Sequence, residues 1–184
     1  MGHFVASMMM SVDGFDGNEH FAPTIEDHQV FNDQLARTNG LICDQANHQT
    51  LVPYWDDLAL DDPNLLPVER QFAELFRARP RYVVADVLEP VDPRATLIRD
   101  NPVARLQEIK AGISDDLMVA AGPDLLTTLF DYDLIDELDI LVLPFVLGSG
   151  ARQVGNLARI RHLTLLRTRG LPTGSVALHY QVLP

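Results

Sequence analysis

Cysteine and long apolar runs are what this sequence lacks most. Its single cysteine, Cys43, cannot form an internal disulfide, and it lies in the apolar stretch LIC, where a small buried residue is the ordinary explanation and a catalytic thiol the alternative. No segment approaches the roughly 20 apolar residues of a membrane-spanning helix, and the N-terminus lacks the pattern of a signal peptide. We therefore expect a cytoplasmic protein with no membrane partner.

Basic side chains are also scarce. The 184 residues carry 14 Lys and Arg against 26 Asp and Glu, a formal net charge of -12, which argues against nucleic acid as a partner because it attracts clustered cations. The exception is segment 151–184, which has no acid and would attract an anionic small molecule. Alternatively, its arginines pair with acids on the surface or at a subunit interface. They are Arg152, Arg159, Arg161, Arg167 and Arg169.

Motifs for metal binding, acyl transfer and nucleoside triphosphate binding are missing as well. The six histidines show no metal-ligand spacing on one helix face, and no H-E-x-x-H, G-x-S-x-G or Walker sequence occurs. His48 beside Asp44 could form a polar pair, although an exposed histidine at a helix start is the simpler interpretation. The sequence therefore predicts no metal site.

What is present is an alternation of strand-like and helix-like segments that predicts a single α/β domain over residues 1–184. Such alternation favours a mostly parallel sheet with helices on both faces, and the last two strands form an antiparallel hairpin. The predicted strands cover 3–10, 40–43, 81–90, 95–99, the segment before Gly122, 137–142, 162–169 and 174–182. Helices are predicted over 24–40, with Thr24 as N-cap, over 67–77, over 102–111 and after Pro123, with a helical turn interrupted by Pro53.

Ligands of such sheets bind beyond the carboxyl ends of the strands. The junctions that reach this edge are 11–15, 44–47, 85–87 and 121–124.

The motifs at these junctions resemble those of a known family. SVDGF, PYW, AAGPDLL and the long block LIDELDILVLPFVLGSGARQV are together similar to the dihydrofolate reductase-like domain at the C-terminus of the bifunctional riboflavin biosynthesis protein. The resemblance spans nearly the whole chain and is most specific over 119–154. It implies a three-layer dihydrofolate reductase-like fold of about eight strands in a homodimer. It also implies hydride transfer from NADPH or NADH to a planar pyrimidine or pterin-like ring, as in 5-amino-6-(5-phosphoribosylamino)uracil reductase.

The resemblance also implies where the cofactor binds, with its pyrophosphate against helix N-termini. A strand–helix turn without a ligand is the alternative for Gly122 and Pro123, and a tight structural turn is our first interpretation of the Gly-Ser-Gly stretch at 148–150. The implied cofactor-binding residues are Asp44, Gln45, Asn47, Asp86, Ala121, Gly122, Pro123, Gly148 and Gly150.

Three positions depart from the relatives' motifs. After the second strand, Asp44 and Gln45 replace a Gly-Arg pair that grips phosphate, and a carboxylate there repels a pyrophosphate. After the third strand, Asp86 stands near the place of an arginine and suits a ribose 2′-hydroxyl, which favours NADH. Ala120 replaces a glutamate that touches the substrate in the riboflavin reductases.

The substrate-side candidates come from the first strand and from PYW. Asp13 ends the first strand and is the predicted catalytic polar group, with capping of local N–H groups as the alternative. Ser11 is a predicted substrate contact, and Tyr54 and Trp55 could stack on a flat heterocycle, although packing is the commoner role of such aromatics. Three hypotheses follow: an NAD(P)H-dependent reductase, a divergent small-molecule binding protein that lost the dinucleotide, and a dimeric scaffold.

Overall fold

The computed structural model describes residues 1–88 and 92–184, which form one eight-stranded sheet flanked by helices. The strands are β1 (Phe4–Ser11), β2 (Leu41–Asp44), β3 (Arg81–Val84), β4 (Ala95–Ile98), β5 (Leu117–Ala120), β6 (Glu137–Leu143), β7 (Leu163–Gly170) and β8 (Val176–Val182). The helices are α1 (Ile25–Ala36), α2 (Gln45–Asp57), α3 (Pro67–Ala78), α4 (Pro102–Gly112) and α5 (Pro123–Asp131), with a short 3-10 turn at Asn18–His20.

The strand order is β4-β3-β2-β5-β1-β6-β8-β7. Strands β1 to β6 pair in parallel, whereas β8 pairs antiparallel with both β6 and β7. The mostly parallel α/β architecture and the C-terminal antiparallel hairpin predicted from the sequence are therefore confirmed.

The sheet has an apolar core on each face, because successive residues of a strand point to opposite faces. Phe4, Ala6 and Met8 join a cluster with Leu106 of α4 and Leu126 of α5. On the other face, helices α1, α2 and α3 pack through Leu35, Val52 and Phe76 against Met118 and its neighbours. Burial on both faces explains the near-continuous apolar runs of the central strands.

Helix α1 begins as its sequence predicts. The Thr24 hydroxyl accepts a hydrogen bond of 3.3 Å from the Asp27 amide, and the Asp27 carboxylate accepts one of 3.2 Å from the Thr24 amide, which completes a capping box. The helix ends at Ala36, four residues before the predicted stop at Gly40.

Helix α2 corrects the prediction that Pro53 interrupts the helix, because α2 continues through it to Asp57. Proline removes one backbone hydrogen bond, but the apolar face of α2, with Val52 buried and Trp55 beside it, packs against α3. Arg77 of α3 also holds the end of α2, since its Nε donates a 2.9 Å hydrogen bond to the Trp55 carbonyl. Tertiary packing here outweighs the local cost of the proline.

Strand β3 is shorter than the predicted 81–90. It ends at Val84, residues 85–88 are not in a strand, and Glu89 and Pro90 lie outside the described residues. The partner strand β4 ends at Ile98, which accepts a last hydrogen bond of 3.2 Å from the Ala85 amide, so no ladder partner follows.

A buried ion-pair network anchors the amino end of β3. The Arg81 side chain, only 1% exposed, donates to Asp92 at 2.6 Å and to Asp56 at 3.1 Å, and its guanidinium lies 4.3 Å from the Phe76 ring centroid. Arg94 pairs with both acids from the other side. The network joins α2, α3 and β3 at the edge of the sheet opposite the strand–helix junctions.

Candidate functional site

A cleft of about 320 Å³ lies at the carboxyl ends of β1 and β5, on the face covered by α1, α2 and α3. Loops 15–23 and 151–153 close its outer side. Its walls combine aromatic and aliphatic side chains with few polar groups, which is the usual character of a small-molecule site. The aromatic walls are Phe21, Phe31, Trp55 and Phe72, and the main polar groups are Asp16, His28, Asn47, Arg152 and Gln153.

Only one of the two aromatic residues predicted to contact the substrate lines this cleft. Trp55 lines it and packs on Phe72, with ring centroids 4.4 Å apart. Tyr54 is 58% exposed, stands edge-on to Trp55 outside the cleft and contributes nothing to its lining. The helix turns successive side chains by about 100°, so Tyr54 and Trp55 face different directions.

His28 is a cleft residue to which the sequence assigned no role. Its side chain is 8% exposed, its ring stands edge-on to Trp55 and Phe72, and its Nδ1 has no hydrogen-bond partner within the described part of the chain. Burial lowers the pKa of His28 below its usual 6.5, so the ring is neutral at neutral pH. A buried polar atom without a partner is costly, and because this Nδ1 is closed to solvent, only the rest of the ring can face a ligand in the cleft.

Asp44 lies where two helices begin. Its Oδ1 accepts hydrogen bonds from the Asn47 amide at 2.9 Å and from Asn47 Nδ2 at 3.0 Å, so it is the N-cap of α2. Its Oδ2 accepts a 2.6 Å hydrogen bond from the amide of Gly122, the N-cap residue of α5. The carboxylate therefore joins the first turns of α2 and α5.

The other predicted cofactor residues divide into two groups. Asn47, Ala121, Gly122 and Pro123 line the cleft. Gln45 and Asp86 do not, and the Asp86 carbonyl accepts a 2.6 Å hydrogen bond from Arg99 Nε on the exposed rim of the sheet.

Asp13 and Ser11 point away from the cleft and toward the loop after β6. Asp13 accepts hydrogen bonds from the Ser11 hydroxyl at 2.7 Å, from the Leu147 amide at 3.0 Å and from the Gly148 amide at 2.7 Å. These bonds hold the pKa of Asp13 at about 2, with the Ser11 hydroxyl as the largest cause. In this structure the Asp13 side chain therefore caps N–H groups, which is the alternative to the catalytic role predicted from the sequence.

The Gly-Ser-Gly stretch is a tight turn. Gly148 and Gly150 have φ of 76° and 141°, values that side chains with a Cβ rarely adopt. Neither glycine lines the cleft, but the turn directs Arg152 and Gln153 into it.

The arginines of segment 151–184 have different partners. Arg159 and Arg161 both pair with Asp133, and Arg169 lies 3.8 Å from Asp33. Arg152 forms no ion pair with any described residue, and its guanidinium lies 4.8 Å from the Phe15 ring centroid at the mouth of the cleft. Arg152 is the arginine of this cleft that could meet an anionic group of a ligand.

Neither a metal site nor a membrane-spanning helix is found among residues 1–88 and 92–184. No group of three or more His, Cys, Asp or Glu side chains there is arranged to hold a metal ion. No helix there is both long and apolar enough to cross a membrane.

Comparison with known proteins places the chain in a family. The family model of the RibD C-terminal domain matches residues 3–177. The chain belongs to the RibD C-terminal domain family. It is also 26% identical over 120 residues to the uncharacterized protein YyaP of Bacillus subtilis (strain 168), an alignment that covers 65% of this chain and 62% of that relative.

Solved structures show the same fold. A pyrimidine reductase-like protein from Corynebacterium diphtheriae superimposes with a TM-score of 0.68 at 11% identity, covering 100% of this chain and 92% of the other. Dihydrofolate reductase from Enterococcus faecalis, solved in complex with NADP(H), gives a TM-score of 0.66 at 10% identity, with coverages of 100% and 98%. The chain thus has the reductase-like, dihydrofolate reductase-like fold of the RibD C-terminal domain family.

The junction between α2 and α5 does not fit a dinucleotide pyrophosphate. Two of the amides at these helix starts, those of Asn47 and Gly122, already donate to Asp44. A phosphate beside this carboxylate would also meet like-charge repulsion. The cleft itself retains the aromatic walls that a flat ring needs.

Proposed function

We propose that this reductase-like protein binds a planar pyrimidine- or pterin-like ring in its aromatic cleft. The observation that carries the proposal is the meeting of Trp55, Phe72 and the His28 imidazole in one cleft. Aromatic faces favour a flat heterocycle, and the imidazole supplies a hydrogen bond to a ring nitrogen, carbonyl or amino group. Arg152 at the mouth is suited to an acidic substituent.

The second candidate function adds hydride transfer from NADPH or NADH to this ring. Membership of the RibD C-terminal domain family favours it, as does the NADP(H) complex of the E. faecalis reductase. The filled junction at Asp44 favours the first candidate, a binding protein of reductase-like fold that no longer takes a dinucleotide.

Direct titration tests both candidates. Purified protein is titrated with a pterin, a uracil derivative, NADPH and NADH, followed by calorimetry and by fluorescence of Trp55, the sole tryptophan. We expect saturable quenching by a planar ring. Binding and turnover of NADPH or NADH would establish the second candidate in addition.

Paired variants locate the binding event. Phe72→Ala, inside the cleft, should weaken ring binding about tenfold, the loss of roughly 1.4 kcal/mol of stacking and burial. Tyr54→Ala, outside the cleft and next to the same tryptophan, should bind as the parent does. Equal affinities in both variants would place the ring elsewhere.

We further propose that the protein acts in the cytoplasm as a homodimer. The edge strand β7 is exposed along its whole length and carries Leu163, Leu165 and Leu166. An exposed apolar edge strand is a surface that proteins usually cover, and a second copy of the chain is the occupant we propose.

A further inference from the structure

We infer that Asp44 is an internal substitute for a ligand phosphate, and that it makes the cleft select ligands without a pyrophosphate. This inference goes beyond the proposed ring binding, because it concerns a different wall of the cleft. It assigns to one side chain the role of a specificity determinant.

The first argument is electrostatic. The N-termini of α2 and α5 carry unpaired N–H groups and the positive ends of two helix dipoles, which together attract an anion. Asp44 supplies that anion from the end of β2, with Oδ1 on the Asn47 amide and Oδ2 on the Gly122 amide. One carboxylate thus occupies both helix starts at once.

The second argument concerns space. A Cβ added at Gly122 would lie 3.0 Å from Asp44 Oδ2, so the carboxylate lies against the backbone of the α5 start without a gap. A phosphate group is larger than the carboxylate and could reach the Gly122 amide only by displacing Asp44. Displacement would leave the Asn47 amide without its cap and bring two anions together.

The third argument is the position of this junction in the cleft. Asn47, Gly122 and Pro123 line the cleft, so the residues that hold Asp44 form one of its walls. A ligand reaches a wall in which the Asn47 and Gly122 amides are already bonded to a carboxylate. Ligands whose affinity depends on a pyrophosphate lose that contribution, whereas a ring held by Trp55 and Phe72 does not.

The test is pyrophosphate binding to charge-removing variants, measured by calorimetry on the intact chain. Asp44→Ser keeps a capping oxygen, removes the charge and opens space, and we expect it to bind inorganic pyrophosphate and NADPH at least tenfold more tightly than the parent. Asp44→Asn, which preserves the side-chain shape, is the second variant should the serine variant fold poorly. The matched control is Asp62→Ser, because Asp62 also accepts from the amide and side chain of an Asn, Asn64, but on an exposed loop.

A second readout does not depend on any activity. The Gly122 amide proton, held at 2.6 Å by Asp44 in the parent, should shift upfield in the NMR spectrum of Asp44→Ser and move back when pyrophosphate is added. Folded Asp44 variants that bind pyrophosphate no more tightly than the parent would overturn the inference. The pterin titration does not depend on this junction. If the parent protein bound no pterin, that result would contradict the proposed function and leave the inference about Asp44 unaffected.

Discussion

The Asp13 carboxylate and the Gly148 amide, 135 positions apart in the sequence, are joined by a hydrogen bond of 2.7 Å. This bond and the neighbouring bond from the Leu147 amide to Asp13 connect the loop after β1 to the loop after β6. The positive φ of Gly148 lets its N–H turn toward the carboxylate. This pairing fixes the turn from which Arg152 reaches the mouth of the cleft.

Replacing Asp13 by Asn should change the response to acid. The pKa of Asp13 is lowered from 3.8 to about 2, so the fold favours the ionised form, and its contribution is complete above 3.8 and is lost as the pH falls through about 2. Asp13→Asn should therefore melt at a lower temperature at pH 7 and lose less stability between pH 4 and pH 2 than the parent. Thermal melts followed by circular dichroism measure both effects.

The control for this prediction is Asp100→Asn, an exposed carboxylate on the loop before α4. It should follow the parent curve at every pH. An Asp13→Asn curve that coincides with that of the parent would show that the Leu147 and Gly148 bonds make no net contribution.

In the buried ion-pair network, removing one charge should destabilise the fold much more than removing both charges of a pair. Asp92→Ala leaves the buried Arg81 guanidinium with one acid fewer, and we expect a loss of about 3–5 kcal/mol in the free energy of unfolding. Arg81→Met with Asp92→Leu removes both charges and should cost markedly less than Asp92→Ala. Urea denaturation gives the free energies.

The exposed pair of Arg105 and Glu108 serves as the comparison, since both side chains are more than half exposed. Arg105→Met should cost less than about 0.5 kcal/mol. A single Asp92→Ala variant as mild as Arg105→Met would mean that water reaches Arg81.

The fold could be predicted from the sequence because its signals are local. The Thr24 capping box, the apolar runs of the central strands and the long block over 119–154 each specify an element without reference to the rest of the chain. The prediction of a break at Pro53 was wrong because the lost backbone hydrogen bond is visible in the local sequence, whereas the packing that offsets it comes from α3.

The site was harder to predict because its decisive contacts are distant in sequence. The repulsive character of Asp44 could be predicted from its position, but its bond to Gly122, 78 residues away, could not. His28 lies on a helix that sequence periodicity places in the core, and no local pattern distinguishes a buried histidine from one that lines a cleft. Tyr54 and Trp55 look equivalent in sequence, and only the rotation of α2 separates them.

Breaking the apolar edge of the sheet should dissociate the proposed homodimer. Leu165 is 49% exposed on β7, and Leu165→Glu places a charge on the surface that we assign to the second copy. We expect the parent to have twice the mass of one chain in light scattering after size exclusion, and Leu165→Glu to have the mass of one. The control is Val146→Glu, which alters an apolar residue outside β7 that is even more exposed than Leu165.

A parent protein with the mass of a single chain would contradict the dimer directly. If Leu165→Glu stayed dimeric, the dimer interface would have to lie outside β7. In that case, a second edge such as β4 would become the surface to mutate.

His28 should affect both ring binding and the pH dependence of stability. Burial lowers its pKa below 6.5, so the unfolded chain binds the proton more readily, and stability should fall as the pH drops through 6.5 toward the lower folded value. His28→Gln removes this titration and should flatten the denaturation midpoints between pH 7 and pH 5. It should also weaken pterin binding about tenfold, or roughly 1.4 kcal/mol, through the lost imidazole contact. The control is His20→Gln, which should change neither the pH dependence of stability nor ring binding, because His20 is exposed at the surface. If His28→Gln also changed neither, the imidazole would only pack between Trp55 and Phe72.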